Sequence, residues 1–590
     1  MGMCYACGMK LEETLDDLSR RALREALSLS EDAPALLRPT QDPRFGDYQL
    51  NGAMALAKSL KRPPREIASA LVTRLTDDPA VAKAEVAGPG FVNLTLDDAW
   101  LAARLAEDLR DHEADGVHPV TARETIVVDF SSPNIAKQMH VGHLRSTILG
   151  DSLVRLLRQV GHRVIGDNHL GDWGTQFGLL IVGMREWGDE AKLVSEPVDE
   201  LERVYKLGKA RAKEDEAFAE SARAELAKLQ SGDPDNLALW KHFVAATRKT
   251  LDAIYERLDV TFDEWLGESA YDDMLPGVVA ALREKGLARE DDGALCVFWG
   301  ELPDAPPKLK MSKAPFIVQK RDGAFLYSTT DIATILYRRD HFEADRSIYV
   351  VGAPQAFHFQ QLFALAELMG VTMRLEHVGF GAILGDDGKV LRTSEGKAVR
   401  LADLLDEAEE RSLKRIEEAR AEGTLRIAEE DVKAAARAIG IGAVKYTDLA
   451  QNRLSDYRFD WDRMISFKGN AAPYLQYNYA RVRSIFEKAE LDFETFEATP
   501  QLVEPLERSL GLRLARFGDV VHRAAEVAEP HVVAEHLYEL ARSFSAFYKE
   551  HTILGAEGET RASRLALTAL TGRQLRRGLG LLGVDVIERM

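Results

Sequence analysis

The stretch TIVVDFSSPNIAKQMHVGHLRSTILGDSLVRLLRQVGHRVIGDNHLGDWGTQFG, residues 125 to 178, decides the fold. Its opening, Thr125 to Phe130, is apolar and β-branched and runs into a polar loop, which is the pattern of a strand. From about His143 to Val160 the residues Leu144, Ile148, Leu153 and Leu157 recur at helical spacing, and a second strand is expected around Arg163 to Ile165. Strand, loop, helix and strand make a βαβ unit, whose ligands lie beyond the carboxyl ends of its strands. Here that edge carries His140-Val141-Gly142-His143.

Two histidines three apart at a helix start put two imidazoles on one face, where backbone N–H groups also converge. Gly142 keeps the backbone bare for a nucleotide to approach, and His140 and His143 can donate hydrogen bonds to charge growing on a phosphate. A structural or metal-binding histidine pair is the alternative. A metal site of this spacing needs a further ligand nearby, whereas the flanks supply Ser131, Ser132, Pro133, Asn134 and Lys137, which suit a phosphate and a zwitterion better.

HVGH resembles the His-Ile-Gly-His motif of class I aminoacyl-tRNA synthetases, and the surrounding DFSSPNIAKQMHVGHLRST resembles the arginyl branch of that family. The likeness continues through GDWGTQFG (Gly171 to Gly178), FLYSTTDIA (Phe325 to Ala333), the QAFHFQQLF run after Pro354 and PYLQYNYARVRS (Pro473 to Ser484), so it spans almost the whole chain. The four residues HVGH alone would suggest only a nucleotidyl transferase. The resemblance implies ATP and Mg²⁺ as cofactors, L-arginine as substrate and tRNA(Arg) as partner. It also implies arginyl-adenylate formation with release of pyrophosphate, then transfer of arginine to the terminal ribose.

Composition agrees without being able to produce this reading. The chain of 590 residues, 46% hydrophobic, suits a soluble enzyme of several domains with sizeable cores. No apolar stretch approaches the roughly 18 residues of a membrane span, and MGMCYACGMK has neither a basic lead nor an apolar signal core, so a cytoplasmic location is expected. Cys4, Cys7 and Cys296 are too few for a disulfide scaffold. Cys4 and Cys7 form a lone CxxC without a second pair, and Met9 onward reads as a natural start to the following helix, so no metal is expected. The net charge of −19 argues weakly against an RNA partner, but local basic patches can bind RNA while acidic faces point elsewhere.

The expected architecture is α/β: a Rossmann-type class I core with an α+β N-terminal domain and an all-α C-terminal domain. Residues 1–118 alternate helical stretches with the turn-rich FGDYQLNGA and AGPGFVNLTL. They resemble the domain that meets the elbow of the tRNA, with Phe91 stacking on an extruded base and Asn93 hydrogen-bonding its edge. An inward Phe and a turn Asn would fit the same residues. Residues 119–400 make the catalytic core, interrupted by a charged helical insertion at about 185–259 and completed by a second βαβ half from Arg346. A helical connector, 401–457, leads to 458–590, which resembles the anticodon-binding domain. There Tyr474, Tyr477 and Arg481 fall at i, i+3, i+7, as stacking platforms and a cation for RNA or as an ordinary buried helix face. Arg481 and Arg483 favour RNA, and Met590 joins the tRNA side by resemblance. A monomer is expected.

An arginine substrate presents a planar fork of five donors, so its pocket needs acceptors placed for bidentate contact. By resemblance Asp331 takes the guanidinium, Tyr327 packs over the side chain from an expected strand, and Asp129, Asn134 and Gln355 hold the remaining polar groups. Asp331 also reads as a helix N-cap before Ile332. Such a pocket rejects neutral amino acids by leaving its acceptors unpaired, so no editing domain is needed. The resemblance places ATP against Ser132, Gly142, His143, His377, Val378, Thr393 and Gly396. It also makes amino-acid activation dependent on bound tRNA.

Class I enzymes carry a mobile KMSKS loop, and Lys310-Met311-Ser312-Lys313 matches it well. It precedes the second βαβ half, whereas in this fold the loop must follow that half to reach the phosphates. The segment in the right place is GKVLRTSEGKAVRLADLLDEA, Gly388 to Ala408, which departs from the family in carrying Ser394 where Arg is usual. Its charge must come from Lys389, Arg392 or Lys397, and by resemblance Lys137 takes over phosphate stabilisation beside the catalytic His140 and His143. Two rivals remain: a cysteinyl enzyme, which would need a thiolate-binding zinc site that three cysteines, two of them at the extreme N-terminus, hardly supply, and a non-catalytic tRNA-binding paralogue, which would tend to lose the pocket residues present here.

Overall fold

The computed structural model describes residues 10–40, 42–385, 387–392, 398–423 and 425–589. Cys4, Cys7, Thr393, Gly396 and Met590 lie outside the described residues. The core is a four-stranded parallel sheet in the order Arg374–His377, Arg346–Tyr349, Thr125–Asp129, Arg163–Asp167. Its register pairs Asp129 with both Tyr349 and Asp167, and Tyr349 with His377. The four carboxyl ends therefore share one edge. Ile126, Val127 and Val128 are wholly buried because helices cover both faces of the sheet, as parallel strands require.

The histidine helix, Val141–Gln159, packs across the end of the first strand. A β-carbon at Gly150 would lie 2.2 Å from the Phe130 side chain, so only glycine lets the helix come this close. The second half follows with helix Ala356–Leu368 between strands Arg346–Tyr349 and Arg374–His377. The chain leaves the core through helix Gln176–Trp187, and helices Glu190–Ser195, Pro197–Glu214, Glu216–Gln230 and Pro234–Leu258 fill the charged stretch before it returns.

One local expectation is corrected. Tyr327 does not lie on a strand: it is the first residue of helix Tyr327–His341, with Leu326 as N-cap. Asp331 therefore sits one turn inside the helix and does not cap it. The β-branched Thr329 and Thr330 suit a strand, but Ser328 and Thr329 donate their hydroxyls to the carbonyls of Ile317 and Val318 on the neighbouring strand Phe316–Gln319, which supports the first helical turn from outside.

At the N-terminus a four-stranded sheet carries Phe91–Leu96 between Tyr48–Leu50 and Val81–Ala87. Val92, Leu94 and Leu96 face the core, and Phe91, Asn93 and Thr95 form the half-exposed face. From Leu401 the described chain is almost wholly helical, ending in Gly558–Leu581, which is buried along most of its length. The N-terminal part docks on these helices through charge as well as apolar contact: buried Arg573 donates to Asp115 at 2.6 Å, and Arg508 reaches Asp47 at 2.8 Å and Asp98 at 2.6 Å. No described helix is long and apolar enough to cross a membrane.

Candidate active site

The loop after Asp129 bends sharply. Ser131, Ser132 and Ala136 all adopt positive φ, at 72°, 48° and 62°. Such a backbone costs on the order of 1–3 kcal/mol per residue and persists only where its surroundings over-determine it. Here the Ser131 N–H donates to Ser146 Oγ at 2.9 Å, and the Ser131 hydroxyl shares hydrogen bonds with Thr147 at 2.8 Å and Tyr255 at 2.7 Å. The Ser132 N–H donates to Asn168 Oδ1 at 3.2 Å, and its hydroxyl donates to Asp129 Oδ1 at 3.0 Å. The bend delivers Asn134 and Lys137, both exposed, to the rim of the site.

His140 caps the histidine helix, and its Nδ1 accepts from the Gly142 N–H at 3.1 Å. His143 Nδ1 in turn accepts from the His140 N–H at 3.1 Å. A neutral imidazole whose Nδ1 accepts must carry its proton on Nε2, so this pattern selects two Nε2–H donors. The rings lie 4.0 Å apart. Burial drives the His143 pKa down to about 4, helped by His140 and by the Lys137 charge, and burial with Lys137 also lowers that of His140. Both are neutral donors at pH 7. A β-carbon on Gly142 would lie 2.8 Å from the His140 ring, so this glycine is needed for the ring to fold over the helix end as well as to leave the backbone open.

Beside the pair lies a cleft of about 500 Å³ lined by Gly142, Arg145, Gly352, Phe380, Val390 and Leu454. The segment following the degenerate loop is fastened to its mouth: Val141 donates to the Val399 carbonyl at 2.9 Å and Leu401 to that of Met139 at 2.9 Å, so Arg400 lies across from His140. Lys310 belongs to another part of the molecule. It ends the short helix Pro307–Lys310, whose Lys308 and Leu309 face Gly370, Thr372 and Met373 just before strand Arg374–His377, at the amino end of the sheet.

On the other side of the edge, Asp331 Oδ2 lies 2.7 Å from His358 Nε2, and the His358 ring is 5.4 Å from that of Tyr327. Tyr327 is 65% exposed, so its ring is available to a ligand. Glu268 feels the charge of this group: burial pushes its carboxyl up to about 7, His169 opposes the shift, and the negative charges of Asp172 and Asp331 add to it. Gln355 is exposed at the end of the short 3₁₀ turn after strand Arg346–Tyr349. Asn134 touches the GDWG turn, with Oδ1 2.4 Å from where a β-carbon on Gly171 would sit.

Asp129 is placed differently from a simple substrate acceptor. It is buried, and Arg338 donates to its Oδ2 at 2.7 Å and to Asp167 Oδ2 at 2.7 Å. Asp129, Asp167 and His169 are the one grouping of metal-ligating side chains among the described residues, and the Arg338 guanidinium already meets the charge of both carboxylates. These residues do not fit a resident metal ion. His377 donates through Nε2 to the Val351 carbonyl at 2.8 Å and stacks on Phe359 at 4.6 Å, and burial lowers its pKa. Val378 is buried, and its N–H donates to the Tyr349 carbonyl at 2.9 Å.

On the RNA-facing candidates, Asn93 Oδ1 accepts from Gln49 at 3.0 Å and Phe91 stays half-exposed. Arg481 lies over the rings of Tyr477 at 4.8 Å and Tyr548 at 5.1 Å, while the Tyr474 hydroxyl meets Ser545 at 3.3 Å. Arg483 is spent on Glu588, so the two arginines do not act as one patch. Sequence reasoning missed Glu268, His358, Arg145, Phe380 and Leu454. His358 lay inside a run already singled out and could have been found there; Glu268 sits in an unremarkable stretch and meets Asp331 only in the fold.

Models of known families match three consecutive parts of the chain: the arginyl tRNA synthetase N-terminal domain over residues 13–96, the catalytic domain of class I tRNA synthetases (R) over 108–461, and the DALR anticodon binding domain over 475–590. Among curated relatives, an arginine–tRNA ligase of Chromobacterium violaceum is 45% identical over 587 residues, covering 98% of this chain and 100% of that one. One from Hahella chejuensis is 42% identical over 588 residues, covering 99% and 100%. Arginyl-tRNA synthetase structures from Plasmodium falciparum (TM-score 0.83, 28% identity, 99% of this chain and 100% of that one) and Thermus thermophilus (0.81, 26%, 98% and 100%) share the fold from end to end. The parallel sheet, the histidine-capped helix at its carboxyl edge and these matches agree: the chain belongs to the arginyl-tRNA synthetase family of class I.

Proposed function

We infer that this protein is an ATP-dependent arginine–tRNA ligase whose two chemical half-sites sit side by side on the carboxyl edge of the sheet. The observation that carries the reading is the pair of neutral imidazoles, each with Nδ1 occupied by a backbone N–H and Nε2–H left to donate, next to the exposed Lys137. The adenosine of ATP occupies the cleft beside Gly142, with Ser132, His377 and the Val378 main chain around it. The α-phosphate then faces His140 and His143.

Arginine lies across the edge with its guanidinium on Asp331 and Glu268, its side chain under Tyr327, and its α-groups near Asn134 and Gln355. Asp129, paired with Arg338 and accepting from the Ser132 hydroxyl, acts on the arginine side by positioning the bend that carries Ser132 and Asn134. In-line attack of the arginine carboxylate on the α-phosphate forms the adenylate and expels pyrophosphate. The two Nε2–H donors and the Lys137 ammonium meet the negative charge that grows on the phosphate oxygens, without a covalent enzyme intermediate. Mg²⁺ enters with ATP as a phosphate-bound ion, since the one grouping of ligand side chains among the described residues is already met by Arg338.

A tRNA(Arg) lies against Phe91 and Asn93 at one end and against Tyr474, Tyr477 and Arg481 at the other, and its acceptor end receives the arginine. One chain carries all of these parts, and we propose a cytoplasmic monomer. Pyrophosphate release measured across the twenty amino acids, with and without tRNA(Arg), tests the reading. Arginine-specific release that requires tRNA is the expected result, and release with another amino acid would refute it.

A further inference from the structure

The nucleotide cleft is not built by the catalytic sheet alone. Its outer wall, Leu454 and Asp456, belongs to the segment that follows helix Val432–Leu449, well beyond the second βαβ half. Leu454 is 59% exposed and Val390 is 53% exposed, and both large apolar side chains line the cleft. Exposed apolar groups facing a cleft suit the flat apolar faces of a purine ring better than they suit water.

Two arginines hold this wall in place. Buried Arg145, from the histidine helix, pairs with Asp448 at 3.0 Å and donates to the Ser455 carbonyl at 3.1 Å. Arg453 works in the opposite direction, donating to the Gly379 carbonyl of the catalytic part at 2.8 Å and to the Ala528 carbonyl of the C-terminal helices at 3.1 Å. Between them the Asp456 carboxylate accepts from the Ala382 N–H at 2.6 Å, and a β-carbon on Gly381 would lie 2.6 Å from it. Strand Ile383–Leu384 then pairs with Tyr457–Arg458 and closes the seam.

We propose that the segment following helix Val432–Leu449 supplies one face of the purine subsite through Leu454, and that Arg453 is the positioning residue that seats this face against the loop at Gly379 and against the C-terminal helices at Ala528. Nothing in the chemistry of Arg453 touches the nucleotide. Its planar fork spans two main-chain carbonyls from different parts of the molecule, so its loss frees the wall from the cleft without removing a ligand contact.

The inference rests on ATP as the occupant of the cleft, and the experiment separates the two. With saturating tRNA(Arg), the parent enzyme is assayed for ATP and arginine KM and for direct ATP binding by calorimetry, together with Leu454→Ala and Arg453→Ala. Leu454 is mostly exposed, so its variant keeps the fold. Both variants should raise the ATP KM about tenfold, with arginine KM and kcat within about threefold of the parent, and Leu454→Met should restore most of the loss. Arg453→Lys, which keeps the charge but not the fork, is read in place of Arg453→Ala if the latter does not fold. ATP KM within twofold of the parent in either variant overturns the proposal, as does a parallel rise of both KM values. Failure of the parent to bind ATP at all would instead refute the occupant, and the proposal with it.

Discussion

Two lysine-bearing segments of this chain look interchangeable on paper and are not. Lys310-Met311-Ser312-Lys313 carries the better match to a phosphate-gripping loop, yet it follows a short helix packed against the amino end of the sheet. The segment from Lys389 to Arg400 is the poorer match, yet its end is hydrogen-bonded to Met139 and Val141 on either side of His140. The difference teaches that a basic motif acquires meaning from the edge of the sheet on which topology sets it down. A parallel sheet gathers ligands at its carboxyl ends, and a lysine at the opposite end is out of reach whatever its neighbours.

The comparison breaks most directly at Lys137. Lys137→Ala should lower single-turnover adenylate formation by roughly 10²-fold or more, the usual cost of losing one donor to transition-state charge, whereas Lys310→Ala and Lys313→Ala should stay within a fewfold of the parent. Equal losses at Lys313 and Lys137 would restore residues 310–313 as the working loop. The arginine half of the edge should respond on the other substrate. Asp331→Asn removes a charge-assisted acceptor worth about 1.5–3 kcal/mol, so arginine kcat/KM should fall by roughly tenfold to 10²-fold while ATP KM holds. An unchanged arginine KM and kcat would remove Asp331 from the pocket.

The two halves should also separate by pH. Burial holds His143 down at about 4 and His140 below its ordinary value, so neither should impose an acid limb between pH 7 and 8. Glu268, held up near 7 by burial, is protonated below that pH, and a neutral carboxyl cannot pair with a guanidinium. Arginine KM should therefore rise as pH falls through 7, by up to about tenfold per unit, with ATP KM flat over the same range. Glu268→Gln should abolish the dependence; persistence in that variant would assign it elsewhere. The smallest effect belongs to the anchor of the late segment. Arg400 pairs with Asp199 at 2.7 Å on the surface, so Arg400→Ala should slow activation only about twofold to fivefold. A loss as deep as that of Lys137→Ala would mean that Arg400 itself meets the phosphates.

Legibility followed distance along the chain. His140, Gly142 and His143 lie within one helical turn, and their spacing told both the helix start and the ligand-facing edge. The second βαβ half was equally readable, because its period changes from strand to helix to strand within one short stretch. Tyr327 was misread as strand because the β-branched Thr329 and Thr330 follow it, while the carbonyls that accept the hydroxyls of Ser328 and Thr329 lie on a strand elsewhere in the fold. Asp129 was readable as a carboxylate at the edge, but its engagement with Arg338, more than two hundred positions away, was not.

The sequence by itself determined the class of chemistry, since a histidine pair at a helix start, a strand on either side and a carboxylate after Tyr327 are local patterns with local physical causes. Only the tertiary structure decided which groups share the site. It paired Asp331 with His358, turned Ser131 and Ser132 into a strained but fully bonded bend and placed residues 399–401 against the histidines. The reason is that pKa values, acceptor pairs and cleft walls depend on distances of a few ångströms between residues far apart in the chain. Those distances are set by packing and register, on which residue spacing along a sequence is silent.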